Sequence, residues 1–202
     1  MPKLEFFFDC SSPWTYLAFS QVEAVAERAG AEINWRPILV GGIFNSVNQS
    51  VYEQRANPVP AKAKHHIKDL QDWAAHYGLT INWPTVFPVR AVDVMRGAIV
   101  AQYQGKLPAY ARRCFEAYWG EGQDIAQQAV LEAIAGEVGL DRAVFWGQVQ
   151  SDKVKTALKA NTEEVIARGG FGSPTMFVER DDMYFGNDRL ALVEAALKKA
   201  RS

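Results

Sequence analysis

The sequence predicts an α/β fold in which a β-α-β unit and a β-β-α unit form one core, with a large all-helical insertion between them. At the amino-terminal end, an apolar strand pattern over residues 4–9 leads directly into an amphipathic helix pattern. At the carboxyl-terminal end, two short strand patterns precede a last helix. The chain between these ends is helical in pattern almost throughout.

The amino-terminal unit is built from three elements. After the first strand, a helix is expected over residues 13–30, with Pro13 in its first turn and Gly30 as its stop. A second strand is expected over residues 33–37, where apolar and polar side chains alternate. Because the helix can act as a right-handed crossover, the two strands should be parallel neighbours.

The helical insertion is expected to begin near residue 51. Pro84 and Pro88 make the chain between its first two helices a rigid link. Helices are expected over residues 61–77, 91–104, 108–119, 126–138, 142–148 and 152–167.

The carboxyl-terminal unit is predicted to be a hairpin followed by a helix. Strands over residues 175–179 and 183–185 flank a polar turn, and the final helix is expected over residues 189–201. The order β-α-β, then β-β-α, is that of a thioredoxin-like core.

Length and composition suit one elaborated globular protein. The 202 residues are 49% hydrophobic and 22% charged, which is enough apolar content for a substantial core. We expect residues 1–50 and 169–202 to form a discontinuous thioredoxin-like domain and residues 51–168 to form a helical insertion domain.

The formal net charge of −1 gives no electrostatic reason to expect nucleic acid or an anionic membrane as a partner. No apolar run has the length of a membrane span and no signal sequence is recognisable, so we expect a cytoplasmic location.

The corner between the first strand and the first helix is the most informative position. A redox protein of thioredoxin fold carries a Cys-x-x-Cys pair there, whereas this chain has Ser12 and Thr15 at the two positions. Ser12 suits the role of helix N-cap, and its hydroxyl can also donate to an anionic ligand at the helix start. Since the corner lacks its own sulfur, we expect the thiol to arrive on a bound small molecule. Lowering the pKa of that thiol by one unit takes about 1.4 kcal/mol, which a helix terminus and one hydroxyl donor can supply.

The cysteine and histidine side chains do not predict a disulfide or a metal site. Cys10 and Cys114 are too few and too far apart in sequence for a disulfide framework. Cys10 is either a reactive thiol near a helix start or a small semi-buried residue, and we favour the second because Cys10 is out of register with Ser12. His65 and His66 are adjacent, so they do not share a helix face.

Further candidates lie in the carboxyl-terminal unit and the insertion. Pro174 is either an ordinary turn proline or the cis-proline that faces the active-site helix in the thioredoxin fold, where Ser173 would present its backbone to a peptide-like ligand. Asn187 and Asp188 are natural caps of the last helix, and Asp188 could also pair with an α-ammonium group. Nothing in its surroundings distinguishes Lys62 from an ordinary solvated charge.

These motifs together resemble the DsbA-like branch of the thioredoxin superfamily, and within it the kappa-class glutathione transferases and the 2-hydroxychromene-2-carboxylate isomerases. The resemblance covers nearly the whole chain. It rests on Phe8-Asp9-Cys10-Ser11-Ser12-Pro13-Trp14, Arg36-Pro37-Ile38-Leu39 with Gly42-Ile43, Asn48-Gln49, Phe171-Gly172-Ser173-Pro174-Thr175 and Phe185-Gly186-Asn187-Asp188-Arg189-Leu190, in that order.

The resemblance implies glutathione as the cofactor and a homodimer as the assembly. It also implies that Ser12 is the catalytic residue, because Ser12 matches the serine that holds the glutathione sulfur. The cofactor-binding residues that it implies are Ser12, Asn48, Lys62, Ser173, Pro174, Asn187 and Asp188.

The implied activity is the interconversion of 2-hydroxychromene-2-carboxylate and trans-o-hydroxybenzylidenepyruvate in naphthalene-type aromatic catabolism. The glutathione thiolate would add to the conjugated system of this small aromatic substrate in its ring-opened form, turn a double bond into a rotatable single bond, and leave after rotation. Trp14 and Trp83 would suit the aromatic walls of such a site, and Arg90 is a candidate for the substrate carboxylate. The alternatives are a kappa-class glutathione transferase that conjugates electrophiles and a non-catalytic thioredoxin-like binding protein.

Overall fold

A four-stranded mixed sheet joins the two ends of the chain in the computed structural model, which describes residues 1–201. The spatial order of the strands is β2-β1-β3-β4. β1 pairs with β2 in parallel and with β3 in antiparallel orientation, and β3 and β4 form a hairpin, so the predicted parallel pair and hairpin are confirmed. The bounds are β1 (Lys3–Phe8), β2 (Glu32–Pro37), β3 (Thr175–Val178) and β4 (Asp182–Phe185).

Helices make up most of the remaining chain, and eight of them lie between β2 and β3 in the described sequence. The α-helices are α1 (Pro13–Ala29), α2 (Val40–Val47), α3 (Ser50–Ala56), α4 (Pro60–His76), α5 (Val92–Tyr103), α6 (Leu107–Phe115), α7 (Gln128–Glu137), α8 (Arg142–Val149), α9 (Asp152–Ala167) and α10 (Leu190–Arg201). A π-helical turn, Glu116–Gly120, extends α6. Within residues 1–201 no helix combines the length and the apolar character that crossing a bilayer needs.

The helical stretch begins earlier than the sequence pattern predicts. α2 starts at Val40, within the residues assigned to the sheet domain. It contains Gly41 and Gly42, which are weak helix formers, and its apolar stripe of Val40, Ile43, Phe44 and Val47 is only two turns long, which is too short to be told from an irregular apolar segment. The division into two domains stays a prediction, and its last residue, Ser202, lies outside the described residues.

Alternating side chains of β1 are covered by helices on both faces of the sheet. Phe6 and Phe8 lie in the larger core, where the ring of Phe8 is 5.7 Å from that of Phe19 in α1. Phe7 points to the opposite face and packs 5.7 Å from Phe177 in a smaller cluster with side chains of α2 and α9. Full burial of side chains of this size contributes about 1.5–3 kcal/mol each, so β1 is fixed in register from both sides.

Strand pairing brings the two sequence motifs to one edge of the sheet. Phe7 of β1 lies opposite Thr175 of β3, and these strands are antiparallel. The chain that leaves β1 towards Ser12 therefore lies beside the chain that enters β3 from Pro174. β2 runs parallel to β1, so the start of α2 lies at the same edge.

Gly97 marks a tight contact among the inserted helices. A Cβ atom there would meet the Tyr110 hydroxyl and would lie 2.9 Å from Cζ of Phe145. We expect Gly97→Ala to lower the free energy of unfolding by about 1–3 kcal/mol in urea titrations, because the added carbon overpacks a buried contact. The matched control is Gly147→Ala in α8, where a Cβ would meet no atom within 4 Å. The control should leave stability unchanged or raise it by up to about 1 kcal/mol, and equal losses in both variants would contradict the packing argument.

Candidate active site

Ser12 is the N-cap of α1. Its backbone is extended, with φ at −103°, and its Oγ accepts a hydrogen bond from the N–H of Thr15 at 3.2 Å. The same hydroxyl donates to the carbonyl of Ser173 at 3.3 Å. That distance is longer than the usual O–H···O range of about 2.5–3.0 Å, so the proton is weakly held and can turn towards another acceptor.

The side chain of Ser173 ties the two motifs together beneath the surface. Its Oγ accepts from the N–H of Asp9 at 3.0 Å and lies 2.7 Å from Oγ1 of Thr15, and both contacts are buried. The peptide bond between Ser173 and Pro174 is cis, which confirms the predicted cis-proline. Thr15, at the second cysteine position of a redox corner, therefore serves to hold the cis-proline loop against α1.

Asp9 fixes the loop that carries Ser12. Its buried carboxylate accepts hydrogen bonds at 2.8 Å from the backbone N–H and from Oγ of Ser11, and at 2.8 Å from the N–H of Val40. Burial raises the pKa of this carboxyl, and the three hydrogen bonds oppose that rise. Sequence reasoning missed Asp9 because its partner Val40 is distant in sequence and only the fold brings the two residues together.

A cleft of about 330 Å³ opens beside the cis-proline loop. Four of the predicted glutathione-binding residues and one predicted aromatic wall residue line it, together with acidic and basic side chains that sequence reasoning missed. The lining residues are Trp14, Asp69, Trp73, Ser173, Pro174, Phe185, Gly186, Asn187, Asp188 and Arg189. Opposite charges therefore lie within one cleft, as a zwitterionic ligand requires.

Asn187 presents an unpaired donor in the wall of this cleft. The residue is 3% exposed, and its Nδ2 has no hydrogen-bond partner among the described residues. Asn187 lies near the hydroxyl of Tyr77, but the two groups do not form a hydrogen bond of normal geometry. Burial raises the pKa of the Tyr77 phenol, and the nearby Asn187 amide partly offsets that rise. A buried donor without an acceptor costs about 1–3 kcal/mol, so this amide is suited to a ligand that supplies one.

One face of α4 is directed towards the cleft. Lys62, His66, Asp69 and Trp73 are spaced by four, three and four positions, which places them along one side of a helix. Asp69 and Trp73 line the cleft, and Nε2 of His66 accepts a hydrogen bond from Nε1 of Trp14 at 3.3 Å. Lys62 is exposed and lies one turn before His66, outside the lining residues. Because Asp69 and Trp73 share a helix side with Lys62, their spacing in the sequence could have identified them as further candidates.

Asn48 lies at the carboxyl end of α2 and supports the loop that precedes Ser173. Its Nδ2 donates to the carbonyl of Phe171 at 3.0 Å. The ring of Phe171 is 4.4 Å from that of Phe185, which lines the cleft. Asn48 itself and Ser12 are not among the lining residues.

Two other residues suggested for the aromatic substrate lie away from this cleft. Trp83 is 57% exposed, and its ring is 6.0 Å from that of the buried Trp119. The Arg90 guanidinium donates to Oδ2 of Asp93 at 3.2 Å, so its charge already has a partner. The indole N–H of Trp119 donates to the carbonyl of Cys10 at 3.0 Å, which places Trp83 near the loop before Ser12.

The two cysteines are expected to be unreactive in the folded protein. Both side chains are fully buried, and burial raises the pKa of Cys10 well above its ordinary value and that of Cys114 to about 12. Burial therefore disfavours the reactive thiolate form of both residues. A colorimetric disulfide reagent should modify neither residue in the native protein and both after unfolding in guanidinium chloride. Rapid labelling of native Cys10 would contradict this assignment.

Comparison with known proteins identifies the family. The family model described as DSBA-like thioredoxin domain matches residues 3–198. The chain belongs to this family. It is 32% identical over 200 residues to 2-hydroxychromene-2-carboxylate isomerase of Sphingobium xenophagum, covering 96% of this chain and 97% of that protein. It is 24% identical over 205 residues to glutathione S-transferase kappa 1 of Homo sapiens, covering 94% of this chain and 88% of that protein.

A solved structure of the same family agrees with the fold. The structure of a selenomethionine 2-hydroxychromene-2-carboxylate isomerase matches with a TM-score of 0.83 and 27% identity, over 98% of this chain and 96% of that chain. The resemblance predicted from the sequence and the predicted fold class are therefore confirmed. Within the DSBA-like thioredoxin family, this chain is homologous to proteins named as an isomerase and as a transferase.

Proposed function

We propose that the protein is a glutathione-dependent isomerase that interconverts 2-hydroxychromene-2-carboxylate and trans-o-hydroxybenzylidenepyruvate in the catabolism of naphthalene-type aromatic compounds. The observation that carries the proposal is the weakly held hydroxyl of Ser12, which caps α1 and contacts the carbonyl of the cis-proline loop beside a ligand-sized cleft. A relative named for this isomerase, 32% identical over almost the full length, supports the substrate. A cytoplasmic location and a homodimer belong to the same proposal.

The chemistry of the cleft fits glutathione. The γ-glutamyl group carries an ammonium and a carboxylate. Asp69 suits the first, and Asp188 and Arg189, which form an exposed ion pair with each other at 2.6 Å, can exchange that contact for the ammonium and the carboxylate of the ligand. The unpaired Nδ2 of Asn187 can donate to the same group. The backbone of Ser173 can pair with the cysteinyl residue, as cis-proline loops pair with extended peptides.

The remaining predicted residues complete this binding role. Lys62 lies on the face of α4 that is directed at the cleft, and its exposed ammonium suits the terminal carboxylate of the tripeptide. Asn48 acts through the Phe171 carbonyl and keeps the cis-proline loop in place. We assign Asn48 a positioning role and Lys62 an electrostatic one.

Ser12 provides the catalytic contribution of the protein. When bound, glutathione would supply a thiolate for reversible addition to the conjugated chain of the ring-opened substrate, which turns a double bond into a single bond that can rotate before the thiolate is expelled. Ser12 can donate its hydroxyl proton to that sulfur, and the positive end of α1 favours the same negative charge. Pro13 has no backbone N–H, so it cannot donate a hydrogen bond to a ligand at the start of α1. The Ser12 hydroxyl can donate there, because it can rotate towards the ligand.

A kappa-class glutathione transferase is the second candidate, because a human protein of that name is related over 94% of this chain. The two functions share the thiolate and differ in the fate of glutathione. Purified protein should be mixed with 2-hydroxychromene-2-carboxylate, with and without glutathione, while absorbance follows the benzylidenepyruvate and a thiol assay follows glutathione. Turnover that returns all the glutathione supports the isomerase, and stoichiometric loss of glutathione would replace that proposal with the transferase.

Replacing Asp188 by alanine is expected to raise the KM for glutathione about tenfold, because a charged hydrogen bond contributes about 1.5–3 kcal/mol. Turnover at saturating glutathione should change little, since Asp188 is assigned to the γ-glutamyl end, away from the sulfur. The matched control is Asp181→Ala, an exposed residue between β3 and β4 that does not line the cleft. An unchanged KM in Asp188→Ala, or an equal rise in the control, would contradict the assignment.

A further inference from the structure

Arg55 is a cation held between two aromatic rings. Its Cζ is 5.6 Å from the ring centroid of Phe44 and 5.5 Å from that of Phe87. Among the ion pairs formed within residues 1–201, none includes Arg55, whereas Arg90 and Arg96 both pair with Asp93. Arg55 lies in α3, a helix that buries no residue, so its position between the rings is not imposed by packing of the helix around it.

The rings beside Arg55 continue into an exposed aromatic surface. Phe87 lies 4.7 Å from Trp83, and Trp83 is 57% exposed. Two hydrogen bonds from residues 82 and 118 hold the segment that carries both rings against the buried helical turn at Tyr118 and Trp119. The hydroxyl of Tyr118 donates to the carbonyl of Val86 at 2.7 Å, and the N–H of Asn82 donates to the carbonyl of Trp119 at 2.7 Å. This aromatic surface lies next to the guanidinium of Arg55, which takes part in none of the ion pairs within residues 1–201. The two features together suit a flat aromatic ring that bears a carboxylate.

Contacts connect this surface to the Ser12 corner. The ring of Phe87 is 6.2 Å from that of Trp119, and Nε1 of Trp119 donates to the carbonyl of Cys10, two residues before Ser12. None of Phe44, Arg55 and Phe87 lines the cleft that suits glutathione. A reaction between glutathione and a second molecule needs a second site near Ser12, and this surface is linked through Trp119 to the loop before Ser12.

We propose that Phe44, Arg55, Trp83 and Phe87 form the binding site for the aromatic substrate, with Arg55 pairing with its carboxylate and so selecting for aromatic acids. This assignment rests on the proposed function and names the residue that recognises the substrate. Arg–carboxylate pairs are commonly bidentate, which fixes the orientation of the acid as well as its charge.

The test uses cinnamate and cinnamamide, which share a ring and a conjugated chain and differ in charge. Calorimetric titrations would measure the affinity of the full-length protein, saturated with glutathione, for each compound. The variants are Arg55→Met and, as a matched control, Arg90→Met, whose guanidinium pairs with Asp93. Thermal melts would show that both variants are folded, which is expected because Arg55 lies in a helix without buried residues.

We expect Arg55→Met to weaken cinnamate binding at least about tenfold, the scale of one charged hydrogen bond, and to leave cinnamamide and glutathione binding unchanged. Arg90→Met should bind all three as the unmodified protein does. An unchanged affinity for cinnamate, an equal loss for cinnamamide, or an equal loss in Arg90→Met would overturn the assignment. None of these results would contradict the proposed glutathione site. A failure of the unmodified protein to bind glutathione would reject the proposed function, but it would not reject the recognition of acids by Arg55.

Discussion

Replacing Ser12 by alanine is expected to lower the turnover number about 100-fold, the usual scale for removing one donor to a reacting anion. The Kd for glutathione should change little, because a hydroxyl donor favours the ionised sulfur far more than the neutral thiol. Steady-state kinetics would give the turnover number, and calorimetry at a pH below the pKa of the thiol in the complex, where free and bound thiol are both protonated, would give the Kd.

The control for this substitution is Ser20→Ala in the same helix. Oγ of Ser20 donates to the carbonyl of Leu17 at 2.7 Å, and no hydrogen bond found within residues 1–201 joins it to the cis-proline loop. Its removal should leave both the turnover number and the affinity unchanged. Turnover at the unmodified level in Ser12→Ala, or a rate loss explained entirely by lost glutathione affinity, would remove Ser12 from the catalytic role.

Replacing Trp119 by alanine is expected to lower the free energy of unfolding by about 3–5 kcal/mol, as for other fully buried aromatic side chains. For a protein of this size the loss corresponds to a fall in Tm of about 10 °C. Trp119 is 0% exposed and its ring contacts those of Trp83, Phe87 and Tyr118, so its deletion leaves a cavity beneath the aromatic surface. Differential scanning calorimetry would measure the change.

Two further variants separate packing from hydrogen bonding. Trp119→Phe keeps a ring in the cavity but removes the donor to the Cys10 carbonyl, so we expect a smaller loss of about 1–3 kcal/mol. Trp83→Ala, at an exposed ring, should cost far less than Trp119→Ala. A stability of Trp119→Ala close to that of the unmodified protein would show that the ring does not support the corner.

The sequence predicts most of the sheet and its adjoining helices because their patterns are strong. The apolar run of β1 and the Pro13 start and Gly30 end of the first helix are local features, and the structure contains all of them. Gly30 has φ at 63°, in the left-handed region that glycine adopts without strain, which explains why the helix ends there. The helix at Val40 escapes prediction because it is only eight residues long and contains two glycines, so its apolar spacing covers too few turns to stand out.

The candidate site is predictable only in part. Ser12, Ser173, Asn187 and Asp188 stand beside proline, glycine or a helix start, which are local features of the sequence. Their assignment to glutathione remains a prediction. Asp69 shares one side of α4 with Lys62 by its spacing, but that this side meets the cleft depends on the contact of His66 with Trp14 in three dimensions.

The central claim is that the Ser12 corner holds the glutathione sulfur as a thiolate. Its most direct test is a pH titration of the ultraviolet absorbance of the thiolate in the complex of the protein with glutathione. We predict a pKa clearly below the ordinary thiol value of about 8.5 for the unmodified protein, returning towards that value in Ser12→Ala. A thiol pKa in the complex equal to that of free glutathione, or one that Ser12→Ala leaves unchanged, would contradict the claim.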